Sequence, residues 1–504
     1  MLPKVSVVIP VYNQAEFVGD AICSVLSQTF ANFEVLVVDD GSSDDIAGVL
    51  SRFHDERIRL LRHGRNRGLP AARNTGMRAA RGELIALLDA DDLFHPDKLQ
   101  VHVDYMEAHP EIGVTYCGRF ELNHSSTTVR ELYRPPQEVT LRDFVILGFP
   151  FAPSDMVIRR EWAQRVHFFD ECYVHGGEDL EFPCRLALQG CRFQSVHRLL
   201  NYRRYHARRY RRDLAARLQD VTNALERTFA DPRCPESVRH LRTQAYTHHY
   251  LVLSFHAFAQ ERREEGVRYL QSALRSSPHL LARPADGLLN PLWQFFMLES
   301  IADETMDHEE LLLRIHGQFP AELDHLVDQR DTAIGLGYTL KGARAAFWER
   351  GYTAREHGES ACRRGSPIDM VLLRRLANQL AIAADEFGAD FAVEILQRLV
   401  RFFIELQRPD AAKKLAGLFY FNQAFIHFHS GALQRVLGCM AQAIRNEPQY
   451  LCNRGTWSIT LRSLLGRRRR GLPQGNALRR PPGRRFTVPE ALCTSSSRRE
   501  VSKS

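Results

Sequence analysis

Ten cysteines are scattered through 504 residues without one C-x-x-C pair. Thiols so spaced in a chain of this size read as reduced, buried or incidental, so neither a disulfide framework nor a zinc site is expected. No run approaches ~18 consecutive apolar residues, which excludes a transmembrane helix. The opening MLPKVSVVIPVYN lacks the long apolar segment of a secretory signal, so the protein is expected in the cytosol. After the first apolar run the chain reads PVYNQAEF, with no glycine until Gly19. That removes a G-x-G-x-x-G dinucleotide dehydrogenase. It also removes a nucleotidyltransferase carrying a Gly-rich, basic loop at that point.

What is present is ordinary globular composition, 44% hydrophobic and 25% charged, able to bury sizeable cores. At ~150 residues per domain, the length suggests about three units. The formal charge of +7 is unevenly placed. From Arg467 to Ser504 eleven basic residues face Glu490 and Glu500, so this tail carries +9 and the preceding body −2. A near-neutral body is not a broad nucleic-acid-binding surface, and no nucleic-acid partner is expected.

Residues 1–215 alternate short apolar runs with helical spacing. VSVVIP (5–10), EVLVVDD (34–40), IRLLRH (58–63) and ELIALLD (83–89) read as strands, and Leu69–Ala80 as a helix with Pro70 in its first turn. This grammar predicts an α/β unit with a mostly parallel sheet, whose ligands sit at the carboxyl ends of the strands. From 216 to 465 the strand pattern disappears and amphipathic helices take over. Segments 250–278 and 421–448 look alike, each ending in a helix of the form Ala-aliphatic-x-x-x-Pro. They resemble single tetratricopeptide-type helix pairs, although two copies do not make an array. Residues 466–504 are Arg, Gly, Pro and Ser with few apolar residues and are expected to be disordered.

Four constellations carry chemistry. In LIALLDADD, a buried apolar strand runs into Asp89, Asp91 and Asp92. Carboxylates this close repel unless a cation sits among them, and Mg²⁺ or Mn²⁺ takes one or two carboxylates plus phosphate oxygens. A solvated acidic turn is the plainer alternative. In VVDDGSSD, Asp39 and Asp40 end a strand where a carboxylate can accept from a base or ribose; Asp44, Ser42 or Ser43 could equally cap a helix. In HGRNRGLPAARNTGM, Arg73 is suited to a diphosphate, or else lies on a solvated helix face. In GGEDLEFPCRLALQG, Glu178 and Asp179 either complement a helix dipole or place a general base. Six arginines then surround His206 within YRRYHARRYRR (202–212).

These blocks, in this order over residues 3–212, resemble the family 2 glycosyltransferases with the GT-A fold. The resemblance implies a Rossmann-like, mostly parallel sheet and a nucleotide-sugar donor. Pro10 and Tyr12 match the floor of the nucleotide pocket. Asp40, with Asp39 beside it, matches the carboxylate that reads the base. Arg73 matches a basic residue near the nucleotide, and Asp89, Asp91 and Asp92 the ribose-phosphate and metal motif. Asp91 is favoured towards ribose or phosphate, and Asp92 or Asp91 on the metal. Asp179 matches the base that deprotonates the acceptor hydroxyl, with Glu178 next to it. His206 matches a histidine near the metal-diphosphate.

The Q-x-x-R-W motif and membrane helices of processive members are missing, which favours transfer of one sugar per encounter. The expectation is therefore a metal-dependent, inverting, non-processive glycosyltransferase of polysaccharide or glycoconjugate biosynthesis. Its acceptor would be a saccharide, a lipid-linked sugar or a protein. A protein partner through 216–465, and peripheral contact of the Arg-rich tail with the inner membrane face, complete the expectation. The competing reading is a helical interaction protein with an inactive transferase head.

Overall fold

The computed structural model describes residues 2–122, 129–148, 150–204, 213–282, 289–302, 307–348, 351–363, 368, 370–429 and 432–452. The described residues divide into two compact units, one up to Leu280 and one from Leu281.

The first unit opens with β1 (Val5–Val11), α1 (Ala15–Leu26), β2 (Phe33–Asp39), α2 (Ile46–Leu50), β3 (Ile58–Arg62), α3 (Leu69–Ala79) and β4 (Leu84–Leu87). There follow β5 (Leu93–Phe94), α4 (Lys98–Ala108), β6 (Val114–Leu122), β7 (Val129–Tyr133), β8 (Glu138–Val139) and α5 (Leu141–Leu147). Last come β9 (Met156–Arg159), α6 (Arg160–Arg165), α7 (Glu178–Leu188), β10 (Phe193–Arg204) and α8 (Leu214–Ala230). The sheet runs β3-β2-β1-β4-β9-β6-β10-β5, with β7 on β6 and β8 on β10. β1, β2, β3 and β4 are mutually parallel where they pair, as expected, and so are β6 and β10. β9 enters antiparallel between β4 and β6 and makes the sheet mixed.

The apolar runs are continuous because both faces of the sheet are covered. Val5, Val7 and Ile9 of β1 pack with Val18, Ile22 and Leu99 from α1 and α4. Val8, Leu36, Val38, Ile85 and Leu87 face the other way, onto Ala72 and Met77 of α3. Each fully buried Val, Leu or Ile contributes roughly 1.5–3 kcal/mol. Gly76 lets α3 lie close: a Cβ there would sit 2.3 Å from Val8 Cγ1.

The switch from strands to helices near residue 215 is not where this unit ends. Val221, Ala224, Leu225 and Phe229 of α8 belong to the same core as Leu87 and Tyr116 of the sheet. Helices Arg242–Ala259 and Arg263–Ser276 also fall within the first unit.

The second unit is helical over its described residues, including Val327–Phe347, Met370–Phe387, Ala389–Glu405, Pro409–His429 and Leu433–Asn446. The two look-alike segments each form a helix pair closed by a short 3₁₀ turn, Pro278–Leu281 in one and Pro448–Cys452 in the other. Their small residues, Ala273 and Ala443, are fully buried. One pair lies in each unit. The Arg-rich tail lies outside the described residues. Among them, no helix is long and apolar enough to cross a membrane.

Candidate active site

The carboxyl ends of β1, β2 and β4 adjoin, because the strands are parallel and in register: Val11 lies opposite Asp39, and Val8 opposite Leu87. The loops that follow are tied together. Asn13 N donates to Ser42 Oγ at 3.0 Å, and Ser43 N to Asn13 Oδ1 at 2.8 Å. Asp44 accepts from Ala15 N at 2.7 Å, capping α1 from the neighbouring loop. Pro10 lies buried within β1, while Tyr12 just beyond it is exposed.

Asp39 and Asp40 are both buried at the end of β2. Asp39 accepts from Ser42 N at 2.8 Å and pairs with Arg62 at 3.1 Å. Asp40 accepts from Arg67 N and Gly68 N, each at 2.9 Å, and its Oδ1 lies 2.6 Å from His63 Nδ1. His63 Nε2 in turn lies 2.9 Å from Thr75 Oγ1 on α3. The Asp40 carboxylate thus fixes the turn that launches α3. Any hydrogen bond it makes to a base is shared with this duty.

Asp89, Asp91 and Asp92 follow β4 and can bring one ligand oxygen each within 4.8 Å of the others. Asp92 N donates to Asp89 O at 3.0 Å, folding the turn, and Asp89 N donates to Ser154 Oγ at 3.1 Å. Asp92 is fully buried, and its Oδ1 faces Arg204 N at 3.3 Å, which connects it to the end of β10. Oxygen-only ligands in a tight group suit a hard divalent cation.

Arg73 joins this acidic turn to the Glu178–Asp179 pair. Its side chain is 1% exposed. One terminal nitrogen donates to Asp89 at 2.9 Å, and the other to Asp179 at 3.0 Å and, more weakly, to Glu178 at 3.5 Å. Burial works against the charged guanidinium, but Asp89, Asp179 and Glu178 outweigh it and hold the Arg73 pKa above the ordinary arginine value. Both terminal nitrogens are engaged by carboxylates, so contact with a diphosphate would compete with these pairs. Glu178 and Asp179 begin α7, where they also complement the helix dipole. Glu178 is 3% exposed and Asp179 31%, so Asp179 is the member open to a substrate. The described residues thus bring Arg73, Asp89, Asp91, Asp92, Glu178 and Asp179 together. His206 lies outside them.

Sequence reasoning missed the residues behind this group. Lys98 is fully buried at the start of α4 and donates to Ser154 O at 2.9 Å, over the ring of Phe94. Asp155 accepts from Arg119 at 2.8 Å, Asn201 at 2.9 Å and Ala152 N at 2.7 Å. No local pattern marks these residues, since apart from Ala152 these hydrogen-bond partners lie 36 to 56 positions away. Asn74, next to Arg73, exchanges hydrogen bonds with the backbone of Phe169 at 2.8 and 2.9 Å.

Residues 6–166 match the family model for Glycosyl transferase family 2. An uncharacterized glycosyltransferase of Rickettsia felis is 51% identical over 105 residues, 21% of this chain and 17% of that protein. The UDP-Glc:alpha-D-GlcNAc-diphosphoundecaprenol beta-1,3-glucosyltransferase of Escherichia coli is 38% identical over 136 residues, 27% of this chain and 53% of that protein. The chain therefore spans less than two thirds of either relative. A mannosyltransferase from Pyrobaculum calidifontis, solved with GDP-Man and Mn²⁺, is 21% identical at a TM-score of 0.40, covering 66% of this chain and 87% of that one. The expected likeness of the N-terminal part to family 2 glycosyltransferases is borne out, and the helical remainder lies outside the family match.

Proposed function

We propose that the first unit transfers a single sugar from a nucleotide-sugar donor to an acceptor hydroxyl, with inversion and without processivity. The observation that carries this reading is Arg73, which holds the acidic turn Asp89–Asp92 and the pair Glu178–Asp179 at one place. The family match and the named activity of the Escherichia coli relative support it. That relative's acceptor is a lipid-carried diphospho-sugar, so a saccharide on such a carrier is the acceptor class we favour.

Asp179 removes the acceptor proton as the oxygen attacks the anomeric carbon. It begins a helix and is held by Arg73, so its carboxylate is aimed. Glu178, buried behind it, steadies Arg73. Asp39 and Asp40 order the turns that border the nucleotide pocket, with Pro10 and Tyr12 at its floor. Asp91 and Asp92, with Asp89, would hold a divalent metal ion, which supplies positive charge opposite the donor diphosphate. Inversion follows from a base and a leaving group on opposite faces of the sugar.

The test is release of nucleoside diphosphate from a panel of nucleotide sugars by the purified protein with Mn²⁺. Release with one donor, rising on addition of a lipid-diphospho-saccharide, is expected. No release with any donor would leave the interaction-protein reading in its place.

A further inference from the structure

The Glu178–Asp179 pair does not rest on the sheet alone. It is delivered by a strap, residues 169–177, that is held from two sides. On one side Asn74 of α3 binds the Phe169 backbone and also donates to Glu171 at 3.0 Å. On the other side stands α8, beyond the residues 6–166 that match the family. Arg227 of α8 pairs with Asp170 at 2.7 Å and lies over the ring of Tyr173. Asp220, about two turns nearer the helix start, is 8% exposed and accepts from His175 N at 2.8 Å.

The strap ends against α8 with no room to spare. Gly176 has φ +112°, a conformation that favours glycine. At Gly177, a Cβ would come within 2.7 Å of Asp220 Cβ and 2.8 Å of the Tyr173 ring. Glu178 follows directly and opens α7. From the Asp220 carboxylate to Asp179, then, the path is a hydrogen bond and a few residues of glycine-rich backbone.

We propose that Asp220 is a positioning residue for the general base: it fixes the last turn before α7 and so sets where Asp179 stands relative to Arg73 and the acceptor. The proposal rests on the transferase reading above. A buried carboxylate aimed at one backbone N–H is a costly way merely to fill space, because it must be desolvated to be there. A displacement of ~1 Å in a reacting group can cost about 10²-fold in rate.

The experiment compares Asp220→Ala, Asp220→Ser and Asp220→Asn in the full chain. Asn keeps an oxygen that can accept from His175 N, whereas Ala does not and Ser is too short. Ala and Ser are expected to lower kcat about tenfold or more while the donor KM stays within about twofold, and Asn to keep most of kcat. Amide exchange at His175 is expected to speed up in Ala and Ser but not in Asn. Unchanged kcat in a folded Ala or Ser variant would overturn the proposal, as would equal loss in all three. If Ala fails to give a cooperative melt, Ser and Asn decide. A wild-type protein inert towards every donor counts against the transferase reading instead. Exchange at His175 would still show whether Asp220 holds the strap, and unchanged exchange would sink it.

Discussion

Arg73 is the most consequential single residue in the site. Its fork meets carboxylates from two separate segments, Asp89 after β4 and Glu178–Asp179 on α7. A lysine supplies one point of charge and cannot span both. Arg73→Met should remove the buried counter-charge that Asp89, Glu178 and Asp179 share and destabilise the protein by ~3 kcal/mol, read from denaturant midpoints. Arg73→Lys should keep more of the stability yet lose turnover. For Asp179→Asn the expected loss in kcat is ~10²–10⁴-fold, with donor affinity from calorimetry unchanged. Near-wild-type turnover would remove Asp179 as the base. The acidic turn was legible in the sequence, because the apolar strand β4 runs straight into Asp89, and Arg73 and Asp179 were legible as charged residues within or at the start of helical patterns. Their pairing was not. Arg73 and Asp179 are 106 positions apart, and an arginine on a helix looks the same whether it faces a diphosphate or three carboxylates.

At the scale of elements, α8 matters most. It begins where strand patterning stops, and the sequence places it in a separate helical region. Its side chains Val221, Ala224, Leu225 and Phe229 instead complete the core on one face of the sheet. A chain ending at residue 215 should therefore fail to melt cooperatively and should bind apolar dyes. A chain ending at residue 280 should fold. If the shorter chain unfolds cooperatively with full turnover, α8 is dispensable. The helix–sheet contact at Gly76 makes a smaller claim. Gly76→Val must displace Val8 or α3, and a cost of about 1–3 kcal/mol is expected in the melting midpoint. The strands of β1, β2 and β4 were readable because residues buried on both faces give unbroken apolar runs. The antiparallel β9 was not, since register and direction depend on what a strand pairs with.

Across the whole molecule, charge and titration set the response to pH. Burial pushes His249 and His256 down to about 3, and His102, against Thr115, well below the ordinary histidine value of 6.5. These groups are neutral in the folded chain and take up protons on unfolding. Their stabilisation is full above pH ~6.5 and is lost as pH falls from there towards 3. Unfolding free energy should thus drop progressively between pH 7 and 4, and a rise over that range would contradict the burial of these rings. The net charge of +7 has little part in this, since its excess sits in the Arg-rich tail.

Local pattern by itself determined the α/β start, the helical continuation, and which acidic and basic residue types end the strands. Those features depend on neighbours within a few positions, where spacing and turn chemistry act. Only the tertiary structure decided that Arg73 binds carboxylates, that Asp40 holds the turn before α3, and that α8 belongs with the sheet. Each of these is a contact between segments far apart in the chain. Burial chooses such partners, because a charge removed from water must find its counter-charge wherever the fold brings one.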